Sequence, residues 1–290
     1  MDTDKFPARK SVLFLLLVLG LFIMPPNFNV ANADEIDEAL TTKVSAQIRE
    51  QVREMIKAGI DQSKAVEITK AMIRHRVQER HILQSQQMLK SAANTGTPVE
   101  PVVQKINEGI AKGIKDARLV EALESVNNRY SFAYRQARSI ENEETKIHKL
   151  AQRTADCLSA GMEEPQIQQI MNRLQKKVQL KKNPDEKLAL QTMTTTRLMA
   201  RSGVNSETIR ESITQALKEK NTASKLKQMQ LALKGVSNKK YANQLISKMT
   251  QDQGQGKQSN DSNGSGSGSS GSGSSGSSGS GSGGNGSSGK

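Results

Sequence analysis

Apolar residues recur at helical spacing through the middle of the chain. Apolar side chains stand at Val102, Ile106, Ile110 and Ile114, for example. Because residues three or four positions apart share one side of an α-helix, this spacing predicts an amphipathic helix. No segment of the sequence shows the sustained alternation of apolar and polar residues that is typical of a half-buried strand. The pattern therefore predicts an all-α protein.

Five glycines stand where one helical pattern stops and another starts: Gly59, Gly96, Gly161, Gly203 and Gly235. Glycine can take the left-handed backbone conformation that ends a helix. Polar residues two positions further on, Asp61, Asn205 and Ser237, are predicted to be N-caps. We expect ten or eleven helices, over roughly 35–58, 62–76, 79–94, 99–112, 116–139, 142–159, 164–180, 185–201, 206–220, 222–233 and 238–250.

The segments after Gly59 and Gly96 match each other at an offset of 37 residues, with Val66 opposite Val103 and Ile82 opposite Leu119. A recurring pattern of this length is typical of stacked helical hairpins. The copy that starts at Gly161 is irregular, and an extra helix is predicted at 142–159. We therefore expect an irregular helical-hairpin repeat, resembling an α-solenoid or a bundle.

The two ends of the chain differ from the middle. A basic start is followed by an apolar run of about 13 residues and by small residues at Ala31 and Ala33, which is the order of a signal peptide cleaved after Ala33. The end is almost entirely Ser, Gly, Asn and Gln, a composition that favours disorder. We predict a signal peptide at 1–33, N-terminal helical repeats at 34–140, basic C-terminal repeats at 141–250 and a disordered tail at 251–290. The protein is accordingly expected in the periplasm or outside the cell.

Positive charge is concentrated in one part of the sequence. The formal net charge is +13, and residues 151–250 hold 18 Lys and Arg against eight Asp and Glu. Such an excess either keeps a surface solvated or attracts an anionic partner. The candidate binding residues are Arg173, Lys176, Lys177, Lys181, Lys218 and Lys225. In an exported protein an anionic lipid, an envelope polymer or another envelope protein is the expected partner. The shortage of aromatic residues disfavours nucleic acid.

The sequence predicts no metal site, cofactor or catalytic residue. His75 and His81 are six residues apart on what is expected to be helical surface, a spacing that does not bring both to one metal ion. Cys157 lies on a predicted apolar helix face, where a buried thiol that packs as a small apolar group is favoured over a nucleophile.

The segment with Lys105, Glu108, Gly109, Lys112 and Gly113 is the least generic of the chain. With Ala111 it resembles a Lys-x-x-Glu-Gly-x-Ala-Lys-Gly helical repeat of poorly characterised exported bacterial proteins, over about residues 87–130. The resemblance implies no activity. Gly109 is interpreted as a site of close helix approach and Gly113 as a helix C-cap.

These observations predict an exported, non-catalytic interaction or scaffold protein of the bacterial envelope. Two alternatives stay open. One is a hydrolase of envelope polymers that uses carboxylates such as Glu108, which requires a second acid nearby in the fold. The other is a purely structural spacer, which the flexible tail suggests.

Overall fold

The computed structural model describes residues 38, 40, 44–114, 116–179 and 186–255. Within these residues it contains helices and no strands, so the all-α prediction is confirmed. The eleven helices are α1 Ala46–Lys57, α2 Gln62–Arg74, α3 Glu79–Asn94, α4 Glu100–Ala111, α5 Asp116–Arg138, α6 Glu144–Ser159, α7 Glu164–Gln179, α8 Glu186–Arg201, α9 Ser206–Lys218, α10 Thr222–Ala232 and α11 Lys239–Gln255.

The glycines between helices have the predicted left-handed backbone. The φ angle is +94° at Gly59, +64° at Gly96 and +102° at Gly161, and it is also positive at Gly203 and Gly235. At the end of α1 the N–H of Gly59 donates to the carbonyl of Ile56 at 2.9 Å, and the N–H of Ile60 donates to that of Met55 at 3.1 Å. This pair of hydrogen bonds is a Schellman motif, which satisfies the last carbonyls of the helix.

Side chains cap the helix starts largely as predicted. Asp61 accepts from the N–H of Lys64 at 2.9 Å, and Asn205 accepts from the N–H of Thr208 at 2.8 Å. The prediction for Ser237 is wrong. Asn238 accepts from the N–H of Tyr241 at 3.1 Å, so the residue after Ser237 makes this contact. Asn is as good an N-cap as Ser, and the sequence alone does not distinguish two adjacent capping residues.

Two predicted boundaries differ from the structure. The predicted helix 35–58 is interrupted, because Ser45 is extended and its side chain accepts from the N–H of Ile48, so α1 begins at Ala46; most of residues 35–43 lie outside the described residues. The last helix continues to Gln255, so the predicted tail from residue 251 begins inside α11. Glutamine is a good helix former, which favours this extension. The predicted cleavage site at Ala31 and Ala33 and the rest of the tail lie outside the described residues.

The helices form two layers, because all but one of the helices that have a helix two further along the chain pack against it, the exception being α4. In the odd layer every helix packs against the next one. This layer consists of α1, α3, α5, α7, α9 and α11. In the even layer, α2 packs on α4, and α6, α8 and α10 pack in series. The long helix α5 contacts both α4 and α6 and so links the two parts of the even layer. This arrangement is that of stacked helical hairpins.

Two groups of buried apolar side chains meet within α5. One group extends from Leu40 to Val126 and the other from Phe132 to Ile246. Tyr130 packs against both. A single helix therefore supplies side chains to the cores on either side, which joins the neutral and the basic parts of the chain.

Hydrogen bonds join residues of successive repeats at a separation of 38 positions, one more than the predicted offset of 37. Residues 38 positions apart are hydrogen bonded at Gln78 and Asp116, and again at Ser212 and Thr250. The side-chain amide of Gln86 also donates to the carbonyl of Ile48 at 3.4 Å, although these two residues are 38 positions apart. These bonds attach each helix to its neighbour in the same layer. None of the helices in the described parts of the chain is long and apolar enough to cross a membrane.

Candidate functional site

Arg173 and Lys176 lie together on α7 at the edge of a surface depression. The depression has a volume of about 260 Å³, and its other side is lined by Arg210 and Thr214 of α9. The two cationic residues are about one helical turn apart from each other, and they lie on the side of α7 opposite its buried apolar row. That row consists of Ile167, Ile170, Met171, Leu174 and Val178. The amphipathic pattern of α7 therefore directs both cations outward.

Lys218 lines a second depression that adjoins the first. This depression has a volume of about 360 Å³ and lies between α9 and α11, with Thr250 and Gln251 on its far side. Arg210 and Thr214 line both depressions. The two therefore form one groove across α7, α9 and α11, which we call the basic groove. Its cations are Arg173, Lys176, Arg210 and Lys218.

Hydrogen bonds between α9 and α11 fix one side of the basic groove. The hydroxyls of Ser212 and Thr250 are 2.6 Å apart. At the start of the same pair of helices, Asn243 accepts from the N–H of Asn205 at 3.1 Å and from its side-chain amide at 3.0 Å. The helices that line the groove are thus held in register by polar contacts as well as by apolar packing.

The four cations of the groove have different electrostatic surroundings. Arg210 is ion-paired, since its Nε lies 3.0 Å from Glu207 and its Nη2 lies 3.1 Å from Glu211. The hydrogen bond to Glu207 and the nearby carboxylates raise the pKa of Arg210. The same hydrogen bond and the positive charge of Arg210 lower the pKa of Glu207. Arg173, Lys176 and Lys218 have no acidic partner among the described residues. These three supply the uncompensated positive charge of the groove.

The other predicted cations lie elsewhere. Lys177 donates to the backbone carbonyl of Glu219 at 2.6 Å and is partly buried, so it attaches α7 to the end of α9. Lys225 is on α10 in the even layer and does not line the groove. Lys181 is outside the described residues. The structure therefore brings together Arg173, Lys176 and Lys218 and adds Arg210, which the sequence did not single out.

Unpaired amide side chains accompany the cations in the basic groove. Gln169 and Asn172 of α7, Gln215 of α9 and Gln251 of α11 line it. None of the four makes a side-chain hydrogen bond within the described residues. The sequence shows these residues as ordinary polar helix positions, and only the packing of the odd layer collects them.

A further depression lies at the other end of the odd layer. It has a volume of about 450 Å³ and lies between α1 and α3. Its lining residues are Gln47, Glu50, Gln51, Leu83, Gln84 and Gln87. Amides and Glu50 line this depression and no cation does, in contrast to the basic groove.

Glu108, the carboxylate named for the hydrolase alternative, is exposed on α4 between two lysines. Lys105 and Lys112 both form ion pairs with it. Hydrogen bonds from these two lysines lower the pKa of Glu108 to about 2. Its neighbours are cations of its own helix rather than a second acid. In the adjacent turn a Cβ at Gly109 would lie 2.5 Å from Leu119 Cδ1, in agreement with close helix approach at this glycine.

Two of the three histidines and the cysteine make structural contacts, whereas His75 is exposed. His81 was expected on the surface but is 5% exposed, because the start of α5 covers it; its Nδ1 lies 3.4 Å from Asp116. His148 Nδ1 forms a hydrogen bond with the hydroxyl of buried Tyr134. The thiol of Cys157 is buried and lies 3.2 Å from the carbonyl oxygen of Met193. Within the described residues, no group of three or more His, Cys, Asp or Glu side chains could hold a metal ion.

Comparison of the chain with protein family models, with curated proteins and with solved structures finds no match in any of the three.

Proposed function

We propose that this chain is an exported, non-catalytic helical-repeat protein of the bacterial envelope that binds an anionic partner through the basic groove. One observation carries the proposal. Arg173, Lys176 and Lys218 come from two different helices to a single groove and have no acidic partner among the described residues.

The placement of these cations supports binding more than solvation. Charges that only keep a protein soluble are typically mixed in sign and spread over the surface. Here Glu207 and Glu211 both pair with Arg210, which leaves the neighbouring cations of the groove uncompensated. Like charges gathered in a recess repel one another, and an anion bound there would relieve that repulsion.

The anionic partner is tested with a panel of probes: polyglutamate, polyphosphate, and vesicles of anionic or neutral lipid. The variant Arg173→Gln/Lys176→Gln/Lys218→Gln removes the uncompensated cations. A matched control, Lys227→Gln/Lys234→Gln/Lys240→Gln, removes the same charge from exposed positions that do not line the groove. We expect the protein to bind at least one anionic probe and the groove variant to bind it at least about threefold more weakly, since each exposed charge pair contributes about 0.2–1 kcal/mol and three pairs together contribute at least about 0.6 kcal/mol.

The control variant should bind within about twofold of the wild type at moderate salt, where long-range charge effects are screened. Circular dichroism checks that all variants remain helical. If the groove variant and the control lose binding equally, the net charge of the protein, rather than the groove, determines binding, and the proposal is refuted. Absence of preference for any anionic probe over neutral vesicles would also refute the proposal.

Export is tested separately. In this proposal the first residues direct secretion and are removed after Ala33, so the mature chain begins at Asp34. N-terminal sequencing of the protein from a periplasmic or secreted fraction measures this directly. A protein that retains Met1 and fractionates with the cytosol would refute this part of the proposal.

The alternatives gain less support from the geometry. An acid-base hydrolase needs two carboxyl groups near each other, one of them protonated near neutral pH. Glu108 is instead paired with Lys105 and Lys112, which lower its pKa to about 2. No contact of the described residues favours a spacer over a binding module.

A further inference from the structure

The basic groove combines cations with amides, and this combination selects among anionic partners. Building on the proposed function, we propose that the groove binds an extended acidic segment of another polypeptide. In this arrangement acidic side chains of the segment pair with Arg173, Lys176 and Lys218. Its backbone forms hydrogen bonds with the amides that line the groove.

The amides are the first argument for a peptide. Gln169, Asn172 and Gln215 each present an N–H donor and an oxygen acceptor, and neither group is used within the described residues. A peptide backbone offers one N–H and one C=O per residue and can satisfy both halves of an amide. The phosphate of a phosphodiester only accepts hydrogen bonds near neutral pH, so the amide oxygens would remain hydrogen bonded to water.

The second argument is the mixed charge along the groove. Glu211 lines the depression between α9 and α11 and lies beside Arg210. A polymer with a negative charge on every unit would be repelled at this position, since like charges at short range are unfavourable. A polypeptide avoids the repulsion because it can place a neutral or basic residue opposite Glu211 and acidic residues on either side.

The third argument is the shape of the groove. It consists of shallow depressions between neighbouring helices of one layer and crosses three of them, α7, α9 and α11. Packed helices lie about 8–10 Å apart, so the crossing is about 20 Å long. An extended strand rises about 3.3 Å per residue, and about six residues would span this distance. A strand of this length can lie along the depressions and contact side chains of all three helices.

The test compares three probes of similar charge. The first is a ten-residue fluorescent peptide of alternating Glu and Ser. The second is the same sequence with every backbone nitrogen methylated, which keeps the carboxylates and removes the N–H donors. The third is polyphosphate, and anionic vesicles serve as a bilayer probe. The variant Gln169→Met/Asn172→Leu/Gln215→Met removes the amides at similar side-chain size and leaves Arg173, Lys176 and Lys218 in place.

We expect the acidic peptide to bind and the amide variant to bind it at least about fivefold more weakly. The N-methylated peptide should bind the wild type at least about fivefold more weakly than the unmodified peptide. Polyphosphate binding should change by less than about twofold in the amide variant. Helical circular dichroism of the variant, together with its retained polyphosphate binding, shows that it is folded.

Failures of the two proposals give different results. If polyphosphate or vesicles bind through Arg173, Lys176 and Lys218 while the peptide does not, the peptide inference is overturned and the proposed function stands. The inference is also overturned if the amide variant binds the peptide as tightly as the wild type does. If no probe responds to the loss of the three cations, both proposals are overturned.

Discussion

The carboxylate of Asp116, at the start of α5, accepts a hydrogen bond from the backbone N–H of Gln78, 3.0 Å away at the start of α3. Its other oxygen accepts from the side-chain amide of Gln78 at 3.1 Å. Gln78 makes no side-chain hydrogen bond to cap its own helix. A residue of the next hairpin therefore satisfies a terminal N–H group, and Asn243 does the same for Asn205. Helix capping and the attachment of one repeat to the next are the same contact at these positions.

Replacement of Asp116 by Asn should reduce the acid sensitivity of the fold. The hydrogen bond from the Gln78 N–H and the adjacent His81 hold the pKa of Asp116 below its ordinary value. Because this pKa is lower in the folded than in the unfolded chain, ionised Asp116 stabilises the fold above the unfolded pKa of about 3.9. That contribution is lost as pH falls through the folded pKa. The urea midpoint of the wild type should therefore fall more steeply than that of Asp116→Asn between about pH 5 and pH 2.

Asn is a suitable replacement at this position because Asp116 has a φ of 44°, a conformation that Asn tolerates, and because Asn retains an oxygen acceptor. The matched control is Glu121→Gln, which removes an exposed carboxylate from the same helix. Parallel pH profiles for the wild type and Asp116→Asn would contradict the prediction.

Replacement of Arg76 by Gly should stabilise the protein. Arg76 ends α2 with a φ of 57°, and Gly113 ends α4 with a φ of 62° in the matching position of the next repeat. Both positions make the same pair of hydrogen bonds to the preceding turn. A left-handed backbone costs a residue with a side chain roughly 1–2 kcal/mol, and glycine avoids this cost. We expect Arg76→Gly to raise the free energy of unfolding by about 1 kcal/mol in urea titrations.

Arg74→Gly provides the control, because Arg74 is also exposed but has a helical backbone in the last turn of α2. Glycine should lower the free energy of unfolding there by about 0.5–1 kcal/mol. Destabilisation by both substitutions would show that the conformation of Arg76 is not strained.

The helices were predictable from the sequence because their signals are local. The spacing of apolar residues, together with the glycines at several helix ends, predicted the limits of α2 to α10 to within a few residues. The site was less predictable, because it depends on which helices lie side by side. Lys176 and Lys177 are adjacent in sequence but have different contacts, because α9 lies beside α7. Lys177 donates to the carbonyl of Glu219, whereas Lys176 lines the groove. The burial of His81 likewise results from the next hairpin.

Cys157 should be unreactive in the folded protein. Its side chain is fully buried, and burial raises the pKa of the thiol to about 12. Thiol reagents attack the thiolate, so both the accessibility and the reactive form are reduced. We expect a colorimetric disulfide reagent at pH 8 to react at least about a hundredfold more slowly with the native protein than in urea.

A cysteine at an exposed position of the same helix serves as the control. Arg153→Cys in a Cys157→Ala background places the thiol where the native side chain is 46% exposed. This thiol should react at a similar rate in the native protein and in urea. Rapid labelling of native Cys157 would show that α6 opens readily or that the thiol is not covered as described.

Glu108 should remain ionised to unusually low pH. Hydrogen bonds from Lys105 and Lys112 lower its pKa to about 2, compared with an ordinary value near 4.3. Carbon-detected NMR of the side-chain carboxyl should give a midpoint near pH 2 in the wild type. In the variant Lys105→Gln/Lys112→Gln the midpoint should rise toward about 4.3, because both charged donors are removed. An unchanged midpoint in this variant would assign the shift to another cause. A carboxyl group that stays ionised throughout the neutral range cannot donate a proton there, so an acid-base hydrolase would have to find its general acid elsewhere in the chain.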